Sequence, residues 1–321
     1  LDDPRIEVVG VASNGKQAID ILDSGTAVDL VTMDIQMPVM PGDTALKHIM
    51  IRHHVPVLIV SAVNPDGWSE IADFLNLGAV DFLPKPESRS DMERYASKLR
   101  ETVLRVSQAT AARFKRRRKA VAAAPEQSES TATQDVLVLI GGEGAYVDWL
   151  RLPLNRLCAT RTTILIQQLP SSYLPGFCRF LAQEALVETS LLEEGTVIGP
   201  GVLHVGNAAL PFGTERATEA GLIMRAVPSE AGGHSWEEGL QGWLESLARS
   251  IGERLSVCLF SSARTMPSEL ADTLLGCHAR ILLSKPEEIM CRQLVESVQP
   301  YMHIDPDRVF PFDTAHILEV L

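Results

Sequence analysis

Residues 29–42 read DLVTMDIQMPVMPG. A short, mostly apolar run delivers Asp34 to the carboxyl end of a strand, and Met37-Pro38 and Pro41-Gly42 then force the chain away. The same alternation continues on both sides. Strand IEVVGVA (6–12) and helix KQAIDILDSG come before it. Helix DTALKHIMIRH, strand PVLIVSA (56–62), helix SEIADFLNLG and strand AVDFLPK (79–85) follow. Short apolar strands separated by amphipathic helices predict α/β structure with a doubly wound parallel sheet. A longer helix starts near Ser90, with Met92, Tyr95, Leu99, Val103 and Val106 on one apolar stripe.

Three of these strands end in polar groups: Asp34, Ser61 after VLIV, and Lys85 before a proline. Ligands of open α/β sheets bind outside the carboxyl ends of the strands, so a carboxylate, a hydroxyl and an ammonium are expected in one small site. That set suits a phosphorylatable aspartate. Lysine neutralises phosphoryl oxygens, serine donates to one, and a divalent cation bridges carboxylates and phosphate. The plainer reading, that Asp34 only caps its loop, leaves Ser61 and Lys85 unexplained.

The chain has 321 residues, enough for two cores. Its net charge of −12 argues against non-specific nucleic-acid binding. The five cysteines form no CxxC pair and no Cys/His cluster, which predicts a reducing, cytoplasmic setting without structural zinc. No apolar run reaches the length of a membrane span, and no signal peptide opens the chain. Three parts are expected: a first domain over 1–106, a helix end and linker over 107–134, and a second domain over 135–321. FKRRRKA (114–120) reads as a solvated helix end whose cations complement the dipole. No aromatics interleave it as a nucleic-acid surface would require. AAAPEQSESTATQ has little to bury and reads as linker.

The second domain also reads as α/β. Strands are expected at DVLVLIG, TTILIQ (162–167), VLHVG (202–206), LIMRAV (222–227), LSVCLF (255–260) and RILLS (280–284). Helices are expected near 145–158, 172–186, 237–252, 266–276 and 286–299, with a small antiparallel portion around 187–227.

DIQMPVMPG, the Ser61 strand end and LNLGAVDFLPKP, at their mutual spacing, resemble the receiver domain of bacterial response regulators. The resemblance implies a flavodoxin-like fold of five parallel strands. It makes Asp34 the phospho-acceptor, Ser61 the switch hydroxyl, Phe82 the switch aromatic and Lys85 the phosphate contact. It also implies Mg2+ held by Asp34, the backbone carbonyl of Gln36 and an acidic pair ending the first strand. Asp2-Asp3 precede the strand that resembles the second one. The first strand, first helix and acidic pair are therefore expected to be missing, and magnesium to lose those contacts.

In the second domain, VLVLIGGEGAYVDW (136–149), TTILIQQLPSSYLPGFCRFLAQE, GTVIGPGVLHVGNAAL and LSVCLFSSARTMPSELADTLLGCHARILLSKPEE resemble the chemotaxis receptor methylesterases of the CheB type. That family hydrolyses a glutamyl methyl ester with serine, histidine and aspartate. On this chain the serine position is Glu143, the histidine position Gln168, and the aspartate position about Met266. Glutamate here lacks a base to activate anything, glutamine cannot shuttle a proton near neutral pH, and methionine cannot orient an imidazole. Ala145 and Tyr146 stand where the family has two glycines. Substitutes for a triad would have to come from Ser261-Ser262, which end a strand, with His234, His278 and Asp272 elsewhere, and GGHSWEE is not a nucleophile elbow, since no strand leads into it. A dinucleotide fingerprint fails too, because Val147 replaces its last glycine.

The expectation is a chemotaxis-type response regulator, a phosphoprotein with a pseudoenzyme output domain that acts by protein binding. Its partners would be a sensor histidine kinase and a chemoreceptor or similar signalling protein. An active protein-glutamate methylesterase is the alternative.

Overall fold

The computed structural model describes residues 3–62, 67–86, 92–107, 135–142, 145–207, 212–218, 221–226, 236–260, 266–285 and 292–321. The chain divides into two compact units, Leu1–Arg118 and Lys119–Leu321. Of the expected linker, only Ser107 is among the described residues.

The first unit runs α1 (Gly15–Asp23), β1 (Val31–Met33), α2 (Gly42–Arg52), β2 (Val57–Ser61), α3 (Trp68–Leu77), β3 (Asp81–Pro84) and α4 (Met92–Val106). Its strands form a parallel sheet in the order β1-β2-β3, with Val31 opposite Val57 and Leu58 opposite Asp81. Val57, Leu58 and Ile59 of the central strand are buried, as a parallel strand covered on both faces requires. Asn14 caps α1 by accepting from the Gln17 N–H at 3.1 Å, while the Gln17 side chain accepts from the Ser13 N–H at 2.9 Å, much like a capping box. Gly78, at φ 116°, ends α3 in the left-handed conformation and turns the chain into β3.

One expected strand does not form. Residues 6–12 run without a ladder partner among the described residues, and Val8, Val9 and Val11 are exposed. Ile6 alone packs inward, against Leu58, Leu83 and Val103. The apolar pattern favoured a strand, but a strand exists only where neighbouring backbone completes its hydrogen bonds.

The second unit runs β4 (Val136–Gly141), α5 (Tyr146–Trp149), α6 (Leu154–Thr160), β5 (Thr162–Gln167), α7 (Leu174–Ala185), β6 (Glu188–Leu191), β7 (Val197–Ile198), β8 (Val202–Gly206), β9 (Phe212–Thr218), β10 (Gly221–Ala226), α8 (Trp236–Ile251), β11 (Leu255–Leu259), α9 (Ser268–Gly276), β12 (Arg280–Ser284), α10 (Arg292–Ile304), β13 (Val309–Phe312) and α11 (Ile317–Val320). Seven strands form a parallel sheet in the order β13-β12-β11-β4-β5-β8-β6. β7, β10 and β9 form a small antiparallel sheet, as expected for this region. β6 departs from that expectation and pairs in parallel with β8. The helix expected over 145–158 is two pieces, because Pro153 breaks it. β13 was not anticipated. Its Pro311 suppresses the strand signal, yet proline is tolerated on an edge strand, where β13 lies.

Candidate functional site

In the first unit the three strand ends meet as the sequence implied. Ser61 Oγ donates to Asp34 Oδ1 at 2.8 Å, and Lys85 Nζ lies 2.5 Å from Asp34 Oδ2. The Lys85 N–H donates to the Ser61 carbonyl at 3.0 Å, which ties the ends of β2 and β3 together. The loop after β1 is held from the other side. The Gly42 N–H donates to the Ile35 carbonyl at 3.2 Å, and a Cβ at Gly42 would lie 2.7 Å from the Asp34 carbonyl. The Pro41-Gly42 pair thus starts α2 while leaving room for the backbone that carries Asp34.

Burial works against ionising Asp34. The Lys85 ammonium, the Ser61 hydroxyl and the Gln36 N–H outweigh it and hold the carboxyl below its ordinary range. Phe82 of β3 is buried and meets the Trp68 ring edge-on, with centroids 6.5 Å apart. Asp81, at the start of the same strand, is fully buried. Its Oδ1 accepts from the Phe82 N–H at 2.8 Å, and Arg105 of α4 approaches to 4.0 Å. The pattern did not single out Trp68, Asp81 or Arg105, because each reads as an ordinary member of its helix or strand.

A divalent cation does not fit the described residues. Both Asp34 oxygens are engaged by Ser61 and Lys85. Asp3 is held by Arg5 at 2.7 Å, and among the described residues no three carboxylate, imidazole or thiolate groups are placed to hold a metal.

In the second unit the same edge of the sheet is packed. Glu143 lies outside the described residues, but both sides of its turn are defined. Gln167, fully buried at the end of β5, donates through Nε2 to the Gly142 carbonyl at 2.9 Å and accepts from Trp149 Nε1 at 2.7 Å. The Gln168 N–H donates to the Gly141 carbonyl at 3.0 Å. The Gln168 side-chain oxygen is buried without a hydrogen-bond partner. Trp149 lies edge-on to Phe260, at 4.7 Å between centroids, and Phe260 lies edge-on to Phe312 at 5.4 Å.

Met266 is a core residue, packed in the cluster with Leu259, Leu270 and Leu294, and its N–H donates to Ser297 Oγ at 3.0 Å. Ser261, Ser262 and His234 lie outside the described residues. His278 follows α9 in a left-handed turn (φ 64°). At the far end of this edge, Lys285 pairs with Asp313 at 2.5 Å, and His316 Nδ1 lies 3.6 Å from Asp313. Gln167 and Trp149 were missed as a pair. Only a polar residue closing an apolar strand hinted at the first, and nothing in the sequence hinted at the bond.

Residues 1–97 match the response regulator receiver domain family. Over 300 residues the chain is 28% identical to a protein-glutamate methylesterase/protein-glutamine glutaminase of Syntrophomonas wolfei, covering 89% of this chain and 83% of that protein. It is 25% identical to one from Bradyrhizobium diazoefficiens, covering 98% and 92%. Among solved structures, the response regulator domain of Thermotoga maritima CheB is 32% identical over 34% of this chain and 81% of that one, at a TM-score of 0.31. Residues 1–97 thus form a response regulator receiver domain, and the chain is CheB-like, similar over most of its length to protein-glutamate methylesterases.

Proposed function

We propose that this protein is a chemotaxis-type response regulator whose receiver is phosphorylated on Asp34 and whose second domain signals by binding a partner instead of cleaving an ester. The receiver half rests on the convergence of Ser61 and Lys85 on Asp34. The phosphoryl group would come from a phosphohistidine of a sensor kinase. The N–P bond breaks, an Asp34 oxygen forms the new O–P bond, and the imidazole keeps the electron pair. Lys85 then offsets the added charge and Ser61 donates to a phosphoryl oxygen.

One observation carries the output half: the group just after β5 is the carboxamide of Gln168, beside a Gly142 carbonyl held by Gln167. A carboxamide has no basic lone pair to take a nucleophile's proton at neutral pH. With Glu143 in the nucleophile position, neither attack nor proton relay has an agent. The binding partner fits a chemoreceptor, the kinase, or a catalytically active homologue.

The test uses the full chain with methylated chemoreceptor. The expected outcome is no methanol release, together with an affinity for receptor or kinase that changes when Asp34 is phosphorylated. Methanol release abolished by changing one serine would replace this reading with the active methylesterase, which the names of its relatives favour. If deleting 135–321 left the signalling effect intact, the second domain would have no part in it, and Asp34 would serve only to drain the kinase.

A further inference from the structure

We infer that Arg161 and Arg280 of the second domain form a binding site for a phosphate-type oxyanion at the amino edge of its parallel sheet. The register puts both residues on one face. Arg161 is extended immediately before β5, and Asp135 stands opposite it. One step along, Thr163, Leu137, Ser256 and Arg280 form a row across β5, β4, β11 and β12. Two strands separate β5 from β12, so about 14 Å of sheet lies between the two backbones. Arg280 reaches back over that gap, and its Nε donates to Ser256 Oγ of β11 at 3.1 Å. Its Nη1 donates to the Val320 carbonyl of α11 at 3.3 Å. Thus α6 ends at one arginine, and α11 touches the other. Cys258, fully buried on β11 and on the same face as Ser256, lies within reach of both charges.

What the pair lacks is counter-charge. Both side chains are half-buried, and neither makes an ion pair among the described residues. The hydrogen bond of Arg161 there runs from Nε to Thr160 Oγ1 at 3.4 Å, which leaves its terminal nitrogens for a ligand. Burial pushes the Arg161 guanidinium below its ordinary value. Asp135, beyond ion-pair distance, pulls it up, and the Arg280 charge pushes it down again. Two partly desolvated cations served by one distant acid are stabilised by an anion held between them.

The donors select a tetrahedral ion. A single guanidinium fork satisfies a planar carboxylate, whereas two forks approaching from β5 and β12 offer donors from several directions. Ser256 adds another. Its hydroxyl accepts from Arg280 and keeps its own proton for the ion. The site is independent of the proposed function, since it uses neither the receiver nor the carboxyl edge of the second sheet.

The test titrates inorganic phosphate into the full-length protein at constant ionic strength, read by the arginine Nε–H resonances. Two of these are expected to shift together with low-millimolar affinity, with sulfate competing and chloride not. Arg161→Gln, which gives up only the long bond to Thr160, is expected to fold and to weaken binding about tenfold or more. Arg280→Gln should do the same, with circular dichroism checking its fold. The absence of phosphate binding by the unsubstituted protein would overturn the inference. So would binding that Arg161→Gln leaves unchanged, because phosphate would then sit elsewhere. A second arm uses O-phosphoserine. Binding at least as tight as that of free phosphate, and lost in Arg161→Gln, assigns the site to a phosphorylated ligand. Binding of free phosphate alone assigns it to the soluble ion.

Discussion

The carboxyl edges of the two parallel sheets differ in how far their side chains are buried. In the receiver, Ser61 at the end of β2 is buried, but the polar groups after β1 and β3 stay partly accessible, with the side chains of Asp34 at 32% and Lys85 at 41% exposure. In the second domain, the ends of β4 and β5 are filled by Trp149, Tyr146 and Gln167, all nearly or wholly buried. One edge leaves two of its polar groups partly exposed, and the other is packed into the core. A sheet edge thus stays a site only while its side chains stop short of closing it. Buried aromatic groups turn its conformational adaptability into stability.

This contrast makes stability respond to different degrees at the two edges. The largest expected effect is at the closed one. Trp149→Ala removes a buried ring packed edge-on against Phe260 and strands the Gln167 carboxamide, and should lower unfolding free energy by about 3–5 kcal/mol in urea titrations. A loss under about 1 kcal/mol would mean that this edge is not core.

Next is the loop between β1 and α2. Gly42→Ala places a methyl group 2.7 Å from the Asp34 carbonyl, and should cost about 1–3 kcal/mol while slowing phosphorylation at Asp34. A stable variant with normal phosphotransfer would show that the loop's position does not matter to the receiver site.

At the open edge, Lys85→Met should change stability by no more than about 1 kcal/mol, because the pair is partly exposed and screened. The pH dependence carries the sign. Asp34 is held below the ordinary aspartate range, so its contribution is present above about pH 3.9, the unfolded value, and fades as pH falls through the lower folded value. Denaturation of Asp34→Asn and parent chains should therefore differ most near neutrality and converge in acid. Divergence on acidification would reverse the assignment.

The smallest effect is chemical. Burial pushes the Cys158 thiol up to about 12 and Cys258 higher still, while Cys277 is less buried. A thiol reagent at pH 8 should modify Cys277 well before Cys158 and Cys258. Prompt reaction at Cys258 would mean that the central strand β11 opens.

TTILIQ, VLHVG and RILLS form strands over the stretches expected, because uninterrupted apolar β-formers of that length fit little but a buried parallel strand. Asp34, Ser61 and Lys85 were readable for a related reason. A polar residue that ends an apolar strand in such a fold has only one edge to occupy. The pattern misled at 6–12, where a strand signal met no neighbouring strand among the described residues, and at VFPF, where a proline hid an edge strand. Met266, which the resemblance places at the aspartate position, packs into the core.

The sequence by itself determined the two α/β units, most of their strands, and which residue types stand at the strand ends, since these follow from local periodicity and chain order. Tertiary structure alone decided that one edge is open and the other shut. That depends on a ring at 149 meeting a carboxamide at 167 and a phenyl at 260. Contacts between residues so far apart in the chain have no local signature, because folding, not spacing, brings them together.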